Sequence, residues 1–234
     1  MIRKTSRRDP VLVVAAHPDD EVLGCGGTIA RLAQEDFEVY IAILGEGITS
    51  RFVSSEQADP SLVAKLHSNS HEAAKIVGAK DLFMFSLPDN RFDTVAILDV
   101  VKIIESLIDQ LQPRAIYTQH GGDLNIDHYV TYRATMTAAR PLPGSPVKSV
   151  YAYEVASSTE WAFQKFSPPF CPNVFVDIGA TLDIKLRAMQ SYESESRTFP
   201  HPRSPQALTA IAQRWGSVVG LPAAEAFEVV YDVR

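Results

Sequence analysis

Short apolar runs rich in β-branched residues alternate with helical patterns through about the first 140 residues of this chain. Parallel strands need a long crossover, usually a helix, so this alternation predicts a parallel sheet with helices on both faces. Strands are predicted at 11–16, 37–43, 82–85, 115–118 and 149–153. The intervening helices are predicted to begin near Glu21, Ser61, Thr94 and Asp127. The predicted fold class is therefore α/β, with a Rossmann-like, doubly wound and mostly parallel sheet.

The composition changes after Arg140, where PLPG and SPPFCPN are rich in proline and glycine. Residues of this kind mark loops, and two more helical patterns follow at 181–192 and 204–219. We expect this C-terminal extension to wrap the core and to line a site with its loops. The whole of 1–234 is expected to form one domain, with 1–9 as a flexible tail.

The charge balance restricts the class of partner. A net charge of -6 and a pI near 5.5 argue against nucleic acid, because binding a phosphate backbone requires a basic face. A small-molecule substrate fits better. The apolar run after MIRKTSRR is too short for a signal peptide or a transmembrane segment, so we expect a cytoplasmic protein. The sequence is compatible with a homo-oligomer but does not specify one.

Two polar clusters follow the first and fourth predicted strands. AAHPDDE, at 15–21, directly follows the apolar run VLVV, and TQHGGDLNIDH covers 118–128. In doubly wound sheets, ligands bind beyond the carboxyl ends of the strands where the winding direction reverses. Strands 1 and 4 are neighbours at this point of the predicted topology. The two clusters are therefore expected to lie side by side.

The residue types in these clusters predict a cation site. A dinucleotide-binding turn would carry GxGxxG with free backbone amides, whereas the carboxylates found here would repel phosphate. His17 and Asp20, three residues apart, can converge on one ion where the chain turns into a helix. His128 then adds a second imidazole from the neighbouring strand end. Two histidines and one carboxylate, with positions left open, are typical of a catalytic metal site.

HPDDE after the first strand and DLNIDH after the fourth resemble the LmbE/PIG-L family of zinc-dependent de-N-acetylases, which act on N-acetylglucosaminyl compounds. The resemblance implies that His17, Asp20 and His128 are metal ligands and that Asp19 is the general base. The family often has HPDH where this chain has NIDH, so Asn125 replaces a histidine that stabilises the oxyanion and can donate a proton. The resemblance extends over most of the chain through AKIVGAKDLFMFSLPDNRFDT, SSTEW and SYESESRTFPHPRS.

The resemblance implies a metal-dependent hydrolase that removes the N-acetyl group from an N-acetylated amino sugar or its conjugate. Asp19 would take a proton from the attacking water and pass it to the departing amine, with Lewis-acid assistance from the metal. Zn²⁺ is the first expectation, although Fe²⁺, Co²⁺ and Mn²⁺ also accept such ligands. The group attached to the sugar is left open.

Other polar residues have less specific roles. Asp127 is expected to cap the helix beginning at His128, to orient a metal ligand, or to do both. Asn125 has a simpler alternative role in shaping the turn before that helix. Five residues in loops are candidate substrate contacts, although each is also an ordinary surface residue: Arg51, Asn90, Arg91, His201 and Arg203.

Two other functions use the same residues. A non-haem iron oxygenase has the same two-histidine, one-carboxylate donors, but such enzymes usually have other folds. A catalytically idle sugar-binding module would keep the fold without catalysis. Retention of Asp19 argues against the module, because a metal held only for structure needs no adjacent base.

Overall fold

A computed structural model of the protein describes residues 9–49 and 59–234. Residues 1–8, most of the expected tail, lie outside the described residues. The strands are β1 Val11–Ala15, β2 Val39–Gly45, β3 Asp81–Leu87, β4 Ala115–Gln119, β5 Ser149–Tyr153, β6 Val174–Asp177 and β7 Ala224–Asp232. The helices are α1 Asp20–Gln34, α2 Pro60–Val77, α3 Ile97–Leu111, α4 Ile126–Ala138, α5 Leu182–Ser191 and α6 Pro205–Val219.

Within the described residues, seven strands form one sheet in the order β3-β2-β1-β4-β5-β7-β6. Strand β1 lies at the switch point and pairs in parallel with β2 on one side and β4 on the other, so that Val13 is opposite both Ile41 and Tyr117. This confirms the predicted doubly wound α/β fold. It also places the residues that follow β1 beside those that follow β4.

Strand β1 is buried along its whole length, which explains its unbroken apolar sequence. Val11 and Val13 point into the core layer covered by α1, α2, α5 and α6, whereas Leu12 and Val14 point into the layer covered by α3 and α4. Helix α3 begins at Ile97 rather than near Thr94, because 92–94 form a separate short 3₁₀ turn.

The C-terminal third contributes two strands that the sequence analysis did not predict. Strand β7 pairs antiparallel with β5, and β6 pairs antiparallel with β7, so the sheet is mixed at this edge. Glu225 of β7 is buried and accepts a hydrogen bond from Lys185 of α5 at 2.6 Å. This pair ties α5 to the sheet. No helix in the described part of the chain is long and apolar enough to span a membrane.

Candidate metal centre and cleft

The chain turns from β1 into α1 through an unusual backbone conformation at Asp19. This residue is the N-cap of α1 with φ of 102°, in a region that residues other than glycine rarely adopt. Its carbonyl oxygen accepts the N–H groups of Val22 and Leu23 at 3.0 and 2.8 Å, and its own N–H donates to Oε2 of Glu21 at 3.1 Å. The first turn of the helix therefore holds Asp19 in place, and its side chain lines an open cleft.

Three side chains converge beneath this turn. Oδ2 of Asp20 lies 3.5 Å from Nδ1 of His17 and 3.2 Å from Nε2 of His128. One potential ligand atom from each residue lies within 4.8 Å of the others. Oδ1 of Asp20 is buried and has no hydrogen-bond partner within 9–49 and 59–234. Two imidazoles and a buried carboxylate with an oxygen left over fit a divalent cation, because such an oxygen otherwise bears an uncompensated desolvation cost.

Asp127 orients His17. Its Oδ2 lies 2.8 Å from Nε2 of His17, which leaves Nδ1 facing Asp20. The same carboxylate accepts backbone N–H groups from Asn90 and Phe92 at 2.6 and 2.9 Å. Carboxylates in this position commonly fix the ring orientation and tautomer of a metal-binding histidine.

Asn125, and not Asp127, caps helix α4. The helix begins at Ile126, one residue before the predicted start near Asp127. Oδ1 of Asn125 accepts the N–H of Asp127 at 2.8 Å, as in an ordinary asparagine N-cap. The capping role expected for Asp127 is therefore wrong, and the turn-shaping role of Asn125 is observed.

Two residues that the sequence analysis did not assign also support the cluster. Oδ2 of Asp123 lies 3.2 Å from Nδ1 of His128, and Asp123 itself accepts hydrogen bonds from the hydroxyls of Ser158 and Thr159. Gln119 donates from Nε2 to Asp20 at 2.9 Å. Both lie in or beside the motif that follows β4. Their positions in the sequence, close to the predicted ligand His128, could therefore have identified both residues as supporting residues of the cluster.

The cluster perturbs the protonation of its members. Burial alone would lower the pKa of His128, but the attraction of Asp20 and Asp123 outweighs it and raises that pKa to about 9. Burial opposes ionisation of Asp20, but His128 and His17 hold its pKa well below the usual range. Burial raises the pKa of Asp19 well above the usual range, against the attraction of Arg203. A raised pKa suits a general base that works near neutral pH.

The cleft beside the cluster has a volume of about 510 Å³. Of the candidate substrate contacts, Asn90 and Arg203 line it. Arg91 is exposed and is not among the described lining residues, and neither is His201. Arg51 lies outside the described residues. The structure therefore brings two of the five candidates to the cleft.

Two cleft residues, Glu195 and Trp161, were not assigned by the sequence analysis, and another buried carboxylate, Glu21, lies behind the cleft. Glu195, after α5, is buried at the cleft wall. Trp161 is 40% exposed at the rim and makes an edge-to-face contact with His201 at 5.5 Å between ring centroids. Glu21 is buried behind Asp19 and accepts a 2.6 Å hydrogen bond from Tyr192. Glu195 and Trp161 lie in the segments SYESESRTFPHPRS and SSTEW, which were quoted only for their resemblance.

Known proteins are similar in sequence to most of this chain. An uncharacterised deacetylase of Escherichia coli K12, YaiS, is 28% identical over 200 residues, covering 83% of this chain and 96% of that protein. A probable N-acetyl-alpha-D-glucosaminyl L-malate deacetylase of Bacillus cereus is 26% identical over 197 residues, covering 81% of this chain and 84% of that protein.

Solved structures share the fold. The N,N'-diacetylchitobiose deacetylase of Pyrococcus horikoshii superposes with a TM-score of 0.75 at 21% identity, covering 95% of this chain and 84% of that one. A 4-carboxy-2-hydroxymuconate hydratase of Pseudomonas putida gives the same TM-score and identity, covering 97% and 98%. The fold is therefore not confined to deacetylases. The model of the family described as GlcNAc-PI de-N-acetylase, PIG-L, matches residues 12–139, which include the whole candidate metal cluster, and the chain belongs to this family.

Proposed function

We propose that this protein is a metal-dependent hydrolase that removes the N-acetyl group from an N-acetylglucosaminyl-type substrate. The observation that carries this proposal is the convergence of His17, Asp20 and His128 beside the carboxylate of Asp19 in an open cleft. Family membership supports the reaction, and the name of the Bacillus cereus relative supports the class of sugar. Because a hydratase shares the fold, the fold alone does not identify the reaction, and the proposal therefore depends on the residues of the site.

Zn²⁺ is the proposed ion, held by Nδ1 of His17, the carboxylate of Asp20 and Nε2 of His128. Its donors are those that zinc prefers in hydrolytic sites, and Fe²⁺, Co²⁺ and Mn²⁺ accept the same set. When bound, the ion polarises the acetamide carbonyl and lowers the pKa of the attacking water.

Asp19 is the proposed general base. Oδ1 of Asp19 has no hydrogen bond to any described residue, whereas Oδ2 is held by Arg203. The unengaged oxygen is available to take a proton from the attacking water. In this chain Asp19 also returns that proton to the departing amine, because Asn125, unlike a histidine, cannot titrate.

The test uses protein stripped with a chelator and reloaded separately with Zn²⁺, Fe²⁺, Co²⁺ or Mn²⁺. Each sample is incubated with a panel of N-acetylglucosaminides, and free acetate is measured. We expect Asp19→Asn to reduce turnover by about a hundredfold to ten-thousandfold with the metal retained, the usual effect of losing a general base. Asp109→Asn, an exposed position on α3, is the matched control and should leave turnover unchanged.

The outcomes separate the competing functions. Acetate release that is equal in the wild type and Asp19→Asn would remove the mechanism. Oxygen uptake dependent on ferrous ion and 2-oxoglutarate, without acetate release, would indicate the oxygenase. Saturable sugar binding without turnover under any of the four metals would indicate the binding module.

A further inference from the structure

From the contacts around Asp19, we infer that Arg203 is a positioning residue for the proposed base. This inference rests on the proposed function and reassigns a residue that the sequence analysis treated as a substrate contact. Arg203 fixes one oxygen of the Asp19 carboxylate so that the other oxygen faces the reacting groups.

The guanidinium is held by three different segments of the chain. Nη1 of Arg203 donates to Oδ2 of Asp19 at 2.6 Å and to Oε2 of Glu195 at 3.2 Å. Nε donates to Oγ of Ser157 at 2.7 Å. An arginine fork fixed at both Nε and Nη1 has little freedom to rotate. Glu195 and Ser157 therefore hold Arg203, and Arg203 holds Asp19.

The carboxylate of Asp19 is anchored on one side only. Its side chain is 3% exposed, and Oδ2 carries the ion pair with Arg203. Among the residues that the structure describes, Oδ1 has no hydrogen bond. The ion pair thus restricts rotation of the carboxylate and leaves Oδ1 for the proton of the water. Holding a catalytic group in the correct orientation can contribute a large part of an enzyme's rate enhancement.

The backbone around Arg203 is also well determined. The N–H of Arg203 donates to Nδ1 of His201 at 3.1 Å. The next residue, Ser204, is the N-cap of α6 and accepts the N–H of Ala207 at 3.1 Å. The arginine thus leaves the chain at the start of a capped helix, which sets the direction from which it reaches Asp19.

Arg203 lines the cleft and its Nη2 donates to no described residue, so the experiment must separate positioning from substrate binding. Steady-state kinetics and metal content are measured for Arg203→Ala and Arg203→Lys. We expect Arg203→Ala to lower kcat by about a hundredfold, with KM changed less than about threefold, because only the transition state is affected. Arg203→Lys should recover part of kcat, since an ammonium group keeps the charge but not the fork. Metal content should match the wild type.

A double variant gives a second readout. If Arg203 acts through Asp19, the variant Asp19→Asn/Arg203→Ala should be no slower than Asp19→Asn alone, because residues that act as a unit are not additive. Arg197→Ala is the matched control. Arg197 lies in the same loop, is exposed and donates to the backbone carbonyls of Ser194 and Ser196. We expect wild-type kinetics for it.

A raised KM with unchanged kcat in Arg203→Ala would assign Arg203 to substrate binding and overturn the inference. Multiplicative losses in the double variant would do the same. If Arg203→Ala does not fold, the same comparison is made with Arg203→Lys, where unchanged kcat would contradict positioning. A wild-type enzyme without deacetylase activity would overturn the proposed function, and this assignment with it, whereas an active wild type isolates the role of Arg203.

Discussion

Asn125 donates a side-chain N–H to Oδ1 of Asn90 at 3.1 Å, while its own Oδ1 accepts the backbone N–H of Asp127. Both polar ends of the Asn125 amide are therefore engaged in this structure. One end caps α4, and the other joins two segments that line the cleft. Nδ2 carries a second N–H, which has no acceptor among the described residues and is the group that would serve as oxyanion donor.

Two substitutions separate the cap from the donor. Asn125→Asp keeps an oxygen for the cap but removes the N–H donor and adds a negative charge, whereas Asn125→Ala removes both. If Asn125 is the oxyanion donor, both variants should lose about a hundredfold to a thousandfold in turnover with the metal retained. Full activity in Asn125→Asp would show that Asn125 is structural. Loss of the cap in Asn125→Ala should cost about 1 kcal/mol of stability, measured by chemical denaturation.

The metal cluster is tested by His128→Ala against His120→Ala. Both histidines are buried, but His120 contacts Glu228 at 2.9 Å and the carbonyl oxygen of Pro168 at 2.9 Å, away from the cluster. We expect elemental analysis to find the divalent ion lost from His128→Ala and retained in His120→Ala. Full metal retention in His128→Ala would show that the proposed ligand set is wrong.

Metal affinity should increase with pH. The pKa of His128 is raised to about 9 in the metal-free protein, and the imidazole must lose its proton before Nε2 can bind a cation. Apparent affinity should therefore rise at least about tenfold per pH unit between about pH 6 and pH 8, and the contribution of His128 should level off above about pH 9. Competition with a chromophoric chelator, corrected for the chelator's own protonation, measures this dependence. A flat profile would exclude proton displacement from His128.

Glu21 should make the metal-free protein less stable as pH rises. Burial raises the pKa of Glu21 to about 7, despite the hydrogen bond from Tyr192. Between about pH 4.5 and pH 7 the folded state keeps a proton that the unfolded state has released, so the free energy of unfolding falls by up to about 3 kcal/mol across this window.

Glu21→Gln removes this titration while keeping the side-chain shape. Its stability relative to the wild type should rise from about pH 4.5 to pH 7 and stay constant above it. Urea unfolding in the presence of a chelator gives the comparison. Glu72→Gln, at an exposed position on α2, is the control and should show no such trend. A constant difference between Glu21→Gln and the wild type would contradict the raised pKa.

Trp161 should contribute to substrate binding rather than to chemistry. Its partly exposed ring lines the cleft rim and is apolar, whereas the metal cluster is polar. Aromatic rings supply a large contact area for a ligand at a small cost in conformational entropy. We expect Trp161→Ala to raise KM about tenfold with kcat nearly unchanged. Phe163→Ala is the control, because Phe163 is 73% exposed two residues later and lines a different cavity. Equal effects of the two variants would contradict the assignment.

The sequence predicted the parallel part of the sheet because each strand there carries its own local pattern. The apolar runs of β1 to β5 and the helical patterns between them can be recognised within a few residues. Strand β6 has four residues directly after the proline-rich segment SPPFCPN, and its pairing partner β7 lies about 50 residues later in the chain. Strand β7 does carry a strand signal, because Phe227, Val229 and Tyr231 alternate along it, but a local pattern does not specify antiparallel pairing with β5 and β6.

The site shows the same difference between contacts that a local pattern predicts and contacts that it does not. His17, Asp20 and His128 could be predicted to meet because they follow neighbouring strands of a common topology. The contact between Arg203 and Asp19 joins residues 184 positions apart, and Arg203 comes from a loop whose path no repeating pattern specifies. The sequence therefore indicated that Arg203 lies near the cleft but not which side chain it contacts.

The metal cluster is divided between the end of β1 and the start of α4, so its donors meet only after the central strands have paired. An ion that requires all three donors binds the folded chain and not the unfolded one. Mass action then adds about 2.7 kcal/mol to the free energy of unfolding when free ion is a hundredfold above its Kd. An ion bound at this edge of the sheet would therefore stabilise the whole domain core, so that metal supply would affect thermal stability as well as catalysis.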